Sequence, residues 1–160
     1  MRVFDASSMI YAWDNYPVDQ FPGLWEWMAG QIESNEVMMS SVAFDEVTHK
    51  TPDCGEWLKE NNLELLPVSG AILQGAMQIK ETLGIAGDSY HAKGVDENDL
   101  LIIATARAKG AELVSDEAKQ PGLPQIPSRR KIPAVCAMPS VAVSCINFIE
   151  YIKASGAVFR

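Results

Sequence analysis

The sequence has no uninterrupted apolar run of roughly 18 residues, the length that a membrane-spanning helix needs. Its opening stretch, Met-Arg-Val-Phe-Asp, becomes acidic at once and lacks the apolar core of a secretory signal. We therefore expect a protein of the cytoplasm that works without a membrane partner.

Cysteine is also scarce, since Cys54, Cys136 and Cys145 are the three in the chain and no CxxC pair occurs. An odd number of widely spaced cysteines argues against a disulfide framework and against a thiolate zinc site. No glycine-rich loop follows the first apolar segment, which disfavours a dinucleotide site or a P-loop.

Basic residues are outnumbered, with 13 Lys and Arg against 21 Asp and Glu, so the formal net charge is −8. Such a charge repels nucleic acid at long range and counts against a passive nucleic-acid-binding module. It counts less against a metal-dependent nuclease, because bound cations would neutralise some of the acids.

Short apolar strands alternate with helices over the whole chain. Strands are predicted at 2–4, 36–40, 63–68, 112–115 and 141–144, with a closing helix at 145–155. No linker or repeat divides residues 1–160, so we expect a single domain. The alternation predicts an α/β fold, a three-layer α/β/α sandwich around a mainly parallel sheet of about four or five strands.

Acidic residues recur where this fold would bring chain segments together, at the carboxyl ends of its strands. Asp5 closes the first strand, and Glu46 lies in the helix after the second. The others are Asp96, Glu97 and Asp99 at the start of the helix before the fourth strand, and Asp116 and Glu117 just after that strand. Asp5, at the end of a buried strand, is hard to explain as a solvated surface acid, whereas each of the others has an ordinary explanation as a surface or helix-start acid. The set therefore carries the argument.

Carboxylates that converge on one pocket repel one another unless a cation lies among them. Mg²⁺ and Mn²⁺ prefer oxygen ligands and keep several waters. One such water can attack a phosphodiester while the ion stabilises the developing charge. The acid set therefore points to metal-dependent hydrolysis of phosphodiester bonds.

Three motifs resemble the PIN-domain family of ribonucleases over most of the chain. Arg-Val-Phe-Asp-Ala-Ser-Ser-Met-Ile at 2–10 resembles the family's opening strand, which ends in Asp with Ser or Asn two residues on. Asp-Leu-Leu-Ile-Ile-Ala-Thr-Ala from Asp99 resembles its central helix, and Leu-Val-Ser-Asp-Glu from Leu113 its later strand. Phe-Pro-Gly-Leu-Trp-Glu-Trp from Phe21 and Lys-Ile-Pro-Ala-Val-Cys from Lys131 are similar to a VapC-like subfamily of uncharacterised bacterial PIN proteins.

The resemblance implies a catalytic set of Asp5, Glu46, Asp99 and Glu117. It implies Mg²⁺ or Mn²⁺ as the cofactor, with Ser7 and Ser115 as supporting hydroxyls. The family usually has Asp two residues after the Thr of the later strand, and here that position, counted from Ser115, is Glu117. We therefore rank Glu117 above Asp116 as the fourth acid, and we include Asp116 and Asp96 among the candidate metal ligands.

A basic group follows in a proline-rich loop, Arg129-Arg130-Lys131. Beside an acidic metal site it would suit the phosphates of an RNA substrate. A solvated loop is the plainer explanation for the same residues.

Three functions remain open. The resemblance favours a metal-dependent endoribonuclease, the toxin of a toxin–antitoxin pair, with an antitoxin partner and a possible homodimer. The acidic net charge and the Glu at 117 favour a catalytically weak or inactive PIN-fold interaction module. A receiver domain switched by phosphorylation would need an acid pair beside the first strand and a Lys after a late strand, and neither is well placed.

Overall fold

The sheet has five strands, and all neighbouring strands pair in parallel in the order β3-β2-β1-β4-β5. The computed structural model describes all 160 residues. The strands are β1 (Arg2–Phe4), β2 (Val37–Ser40), β3 (Leu65–Leu66), β4 (Glu112–Val114) and β5 (Cys145–Ile146). Helices flank this sheet, which confirms the predicted α/β class and its strand number.

Eight helices connect and cover the strands. They are α1 (Ala6–Asn15), α2 (Pro22–Glu33), α3 (Ser41–Lys50), α4 (Pro52–Glu60), α5 (Gly70–Thr82), α6 (Glu97–Lys109), α7 (Ile132–Cys136) and α8 (Phe148–Ser155). A single 3₁₀ turn, Pro127–Arg129, lies in the loop before α7. No helix is both long enough and apolar enough to cross a membrane.

The strand order places a topological switch between β1 and β4. From β1 the chain moves to β2 and β3 on one side, and it later returns to β4 and β5 on the other. Right-handed crossovers in opposite directions put helices on opposite faces of the sheet and open a crevice at the carboxyl ends of the two central strands. Asp5 follows β1 and Ser115 follows β4, so both stand at this crevice.

Helix α6 is the central helix of the domain, because every residue from Leu100 to Ala106 is buried. A helix that is apolar on all sides belongs inside a core rather than on a surface. Asp96 and Asp99 form a capping box at its start, and Gly110 ends it in the left-handed conformation. Burial of the helix carries Asp99, in its first turn, to the interior end of the crevice.

The fifth strand differs from its predicted position. Val141 to Ser144 was expected to be extended, but Ala142 has a φ of +52° there and the strand lies at Cys145–Ile146. The helix predicted from 145 begins three residues later, at Phe148, where Asn147 accepts a capping hydrogen bond from the Glu150 N–H. A left-handed residue cannot continue a β ladder, so residues 141–144 are irregular, with Val141 and Val143 buried and Ala142 and Ser144 exposed.

Candidate metal centre

Asp5 lies at the junction of β1 and α1, where its side chain is only 2% exposed. Its backbone N–H donates to the Val114 carbonyl at 2.8 Å, which extends the β1–β4 pairing by one residue. The hydroxyls of Ser7 and Ser115 both donate to its Oδ2, the latter at 3.0 Å. No Lys or Arg forms an ion pair with it.

Burial raises the pKa of Asp5 from 3.8 to about 6. The two serine hydroxyls oppose this shift by bonding to the ionised form, whereas the negative charges of Glu117 and Glu46 add to it. A buried carboxylate without a cation is costly to ionise. The position of Asp5 is therefore one at which a bound cation would be strongly favoured.

Asp99 is a second carboxyl without a cationic partner, and it is half-buried. Its Oδ2 accepts the Asp96 N–H at 3.0 Å, while Asp96 Oδ1 accepts the Asp99 N–H at 2.9 Å. Burial raises the pKa of Asp99, the backbone hydrogen bond opposes the shift, and the charges of Asp96, Asp5 and Glu117 reinforce it. Oδ2 of Asp99 thus caps the start of α6, and Oδ1 is left for a ligand.

Glu46 and Glu117 complete the set from two further elements. Burial raises the pKa of Glu46, Lys50 opposes this at 3.9 Å between Nζ and Oε2, and the charges of Asp96 and Glu117 add to it. The Glu117 N–H donates to Ser115 Oγ at 3.2 Å. Four acids from α3, α6 and the segments after β1 and β4 therefore lie within one another's electrostatic field.

A cavity of about 210 Å³ opens beside these acids. Its walls carry Glu46, Asp96, Asp99 and Glu117, together with the two lysines Lys50 and Lys131. Since one water occupies about 30 Å³ of liquid volume, the cavity can hold a hydrated cation and part of a phosphate group. Sequence reasoning did not single out Lys50, although its spacing of four residues from Glu46 places the two on one helix face.

The donor set fits a hard divalent ion that keeps part of its water shell. All the candidate ligands are carboxylate or hydroxyl oxygens, which Mg²⁺ and Mn²⁺ take in proteins. No three His, Cys, Asp or Glu side chains come close enough together to hold one ion directly among them. Mg²⁺ is commonly held by one or two carboxylates, with waters filling its remaining positions, and this spacing suits that mode.

Asp116 is not brought into the cavity. Its Oδ1 accepts the Ser8 hydroxyl at 2.6 Å and the Phe148 N–H at 3.0 Å, so it ties α1 to the start of α8. Both partners are remote in sequence, and no local pattern around Asp116 announces them. The structure thus gives Asp116 a framework role and places Glu117 at the cavity wall.

Of the three basic loop residues, Lys131 lines the acidic cavity. Its N–H donates to Gln120 Oε1 at 2.8 Å, and Gln120 Nε2 donates to the Arg129 carbonyl at 3.2 Å. Arg130 Nε donates to the Pro124 carbonyl at 3.2 Å, within the same loop. Lys131 is thus the basic side chain of this loop that lies nearest the acids, and Arg129 is exposed.

Gly94 allows this loop to approach the cavity. A Cβ at Gly94 would lie 1.9 Å from the Ser128 carbonyl oxygen, which no side chain could tolerate. The next residue, Val95, donates its N–H to the Arg130 carbonyl at 3.0 Å. The close contact between these two backbone segments therefore sets the position from which Lys131 enters the site.

Comparison with known sequences gives a family match without an activity. The model of a domain of unknown function, DUF4411, matches residues 3–159. No curated protein matches the sequence.

Solved structures share the fold at low sequence identity. The crystal structure of VapBC2 from Rickettsia felis bound to a promoter DNA fragment is similar with a TM-score of 0.54 and 18% identity, over 92% of this chain and 98% of that one. The DNA-bound VapBC structure from Salmonella typhimurium has the same TM-score and identity, over 81% of this chain and 95% of that one. The PIN-type fold predicted from the sequence motifs is confirmed.

Proposed function

This chain belongs to the DUF4411 family, and we propose that it is a metal-dependent endoribonuclease that hydrolyses RNA phosphodiester bonds. One observation carries the proposal. Asp5, which is buried, and Asp99, which is half-buried, come from different parts of the chain and have raised pKa values and no cationic partner. Their charges act on one another and on Glu117, and Asp99 lines one cavity with Glu46 and Glu117. Clustered carboxyls with perturbed pKa values are typical of catalytic sites, since a fold has little structural reason to keep them.

Asp5 and Asp99 would hold the ion, and Glu46 and Glu117 would bind its waters. A divalent ion supplies a more acidic water and stabilises charge on the phosphate. Hydrolysis adds the water oxygen to phosphorus, breaks one ester bond and passes a proton to the departing oxygen. Ser7 and Ser115 fix the orientation of Asp5 through their hydrogen bonds.

Lys131 and Lys50 would hold the non-bridging phosphate oxygens. They lie on the wall of the acidic cavity and come from separate elements, the N-terminus of α7 and the last turn of α3. Charge-assisted hydrogen bonds from two directions would position the phosphate over the acids. Local cations of this kind matter more than the net charge, because salt screens charges beyond about 8 Å at physiological strength.

We further propose an antitoxin as the protein partner, which would make the chain the toxin of a toxin–antitoxin pair. The support is the likeness to two structures of assemblies named VapBC. An antitoxin would need to cover the acidic cavity to suppress hydrolysis.

A second candidate is an interaction module on the same fold with weak or no catalysis. The observation that favours it is the spacing of the acids, since no three carboxylates lie close enough to share an ion directly. It differs from the first proposal in requiring no metal.

Cleavage of end-labelled RNA by purified protein separates the two. The nuclease proposal predicts products with Mg²⁺ or Mn²⁺, none in EDTA, and a loss of orders of magnitude in Asp99→Asn, which keeps an oxygen for the α6 cap. Asp45→Asn, an exposed acid next to Glu46 on α3, is the matched control and should retain activity. Absence of metal-dependent products from the wild type would favour the interaction module.

A further inference from the structure

The hydroxyl of Ser40 is fully buried and has no hydrogen-bond partner. Ser40 is the last residue of β2, its side chain is 0% exposed, and its Oγ neither donates nor accepts a hydrogen bond. A serine directly before a helix commonly caps it, but the Ser40 side chain forms no such bond with α3. Since an unpaired buried hydroxyl costs free energy, such a group is a candidate for contact with a bound ligand or ion.

The register of the sheet places Ser40 beside Asp5. The parallel pairing of β1 and β2 aligns Val3 with Met38, and two residues further along both strands it aligns Asp5 with Ser40. Asp5 is still part of the sheet, because its N–H donates to the Val114 carbonyl. Neighbouring strands lie about 4.8 Å apart, so two aligned side chains on the same face are within reach of a hydrogen bond.

Both side chains belong to the face of the sheet that α6 covers. The Phe4 ring packs edge-on against Tyr151 of α8, with the ring centroids 5.2 Å apart. Successive side chains of a strand point to opposite faces, so Asp5 points away from α8, to the side where its charge acts on Asp99. Ser40 shares the register of Asp5 and therefore its face, and α6 contacts both β1 and β2 there. The unpaired hydroxyl thus lies on the same side as the acids.

One oxygen of the Asp5 carboxyl is open to this hydroxyl. The hydroxyls of Ser7 and Ser115 both bond to Oδ2, and no hydrogen bond reaches Oδ1. Rotation about one side-chain bond moves a serine hydroxyl between its staggered positions, so Ser40 Oγ can turn towards Asp5. Hydrogen bonds of this kind stabilise the ionised form of a carboxyl, which is the form that holds a metal ion.

We propose that Ser40 is a positioning residue of the metal centre, and that its hydroxyl donates to the Asp5 carboxylate when a divalent ion is bound. The inference rests on the proposed metal-dependent function and adds a residue to that site. Asp5 would then be held by hydroxyls from β2 and from the segments after β1 and β4. Because the bond forms in the ion-bound protein, removal of the hydroxyl should affect metal binding and not the folding of the metal-free chain.

Two measurements on Ser40→Ala test this role. Titration with Mn²⁺, followed by the electron paramagnetic resonance signal of the free ion, should show binding about tenfold weaker than in the wild type, a loss typical for removal of a group that orients a metal ligand. Thermal unfolding in EDTA should give a Tm equal to or above that of the wild type, because the variant lacks the unpaired buried hydroxyl. A hydroxyl that serves only the fold would instead lower the Tm.

Ser41→Ala is the matched control, since Ser41 is the next residue, half-buried at the start of α3. It should match the wild type in both measurements. Equal Mn²⁺ affinity of Ser40→Ala and the wild type would overturn the role of Ser40 and leave the metal centre standing. A lower Tm of Ser40→Ala in EDTA would also overturn it and make the hydroxyl a structural group. A wild type that binds no Mn²⁺ would contradict both the role of Ser40 and the proposed metal-dependent function.

Discussion

Replacing Asp5 by Asn should make the metal-free protein more stable at neutral and alkaline pH. The change keeps the shape of the side chain and an oxygen that the hydroxyls of Ser7 and Ser115 can still bond. It removes a negative charge that is 2% exposed and has no cationic partner. Most substitutions in a buried site destabilise a fold, so a gain in stability is a distinctive outcome.

The raised pKa of Asp5 sets the size and the pH window of this effect. A carboxyl whose pKa rises from 3.8 to about 6 on folding binds more protons when folded than when unfolded. Wild-type stability should therefore fall as pH increases from about 4 to about 6, with the full cost present above that range. A shift of about two units corresponds to about 3 kcal/mol. That is an upper limit for the gain in Asp5→Asn, or about 10 °C in Tm for a chain of this size.

Thermal unfolding followed by circular dichroism, in EDTA and at a series of pH values, measures this gain. Asp5→Asn should exceed the wild type near pH 8 and match it below about pH 4, where Asp5 keeps its proton in the folded and in the unfolded chain. Adding Mn²⁺ should stabilise the wild type far more than the variant, and Asp45→Asn should follow the wild type throughout. A variant that is less stable than the wild type by the same amount at every pH would refute the raised pKa and the reasoning built on it.

Two further predictions concern the neighbouring acids and the basic loop. Glu117→Gln should abolish metal-dependent cleavage with little change in Tm. Asp116→Asn should retain cleavage but lower the stability by about 1–2 kcal/mol, because it weakens the hydrogen bonds to Ser8 and Phe148. Parallel thermal melts and cleavage assays check both variants, and the reverse pattern would exchange the roles of the two acids. Changing 129–131 to Ala should weaken RNA binding and flatten its salt dependence, because fewer counterions are released. Metal affinity should not change. Equal slopes of RNA affinity against salt concentration for variant and wild type would exclude the loop from the RNA site.

The fold and the main acids were accessible from the sequence because both follow from local rules. Apolar segments that end in acids mark the carboxyl ends of parallel strands, and the strand–helix alternation brings these ends together. Asp5 and Asp99 could be singled out on this basis alone. The boundary of β5 could not, because the left-handed conformation of Ala142 reflects its tertiary packing rather than a glycine or proline in the sequence.

The choice between Asp116 and Glu117 depended on contacts that are distant in sequence. Asp116 bonds a serine 108 residues away and a backbone N–H 32 residues away, and neither is visible in a local pattern. The raised pKa values of Asp5 and Asp99 likewise arise from burial, which only the packed structure defines. Residue types could therefore nominate the candidates, while packing separates the framework acid from those at the cavity.

Titration with Mn²⁺, monitored through the electron paramagnetic resonance signal of the free ion, tests most directly whether these carboxylates form a metal centre. Wild-type protein should remove free Mn²⁺ saturably, and its affinity should rise with pH as the carboxyls lose their protons. Asp99→Asn should bind at least tenfold more weakly, and Asp45→Asn should match the wild type. A wild type that leaves the free Mn²⁺ signal unchanged, or an Asp99→Asn variant that binds with equal affinity, would contradict the metal centre and the nuclease mechanism built on it.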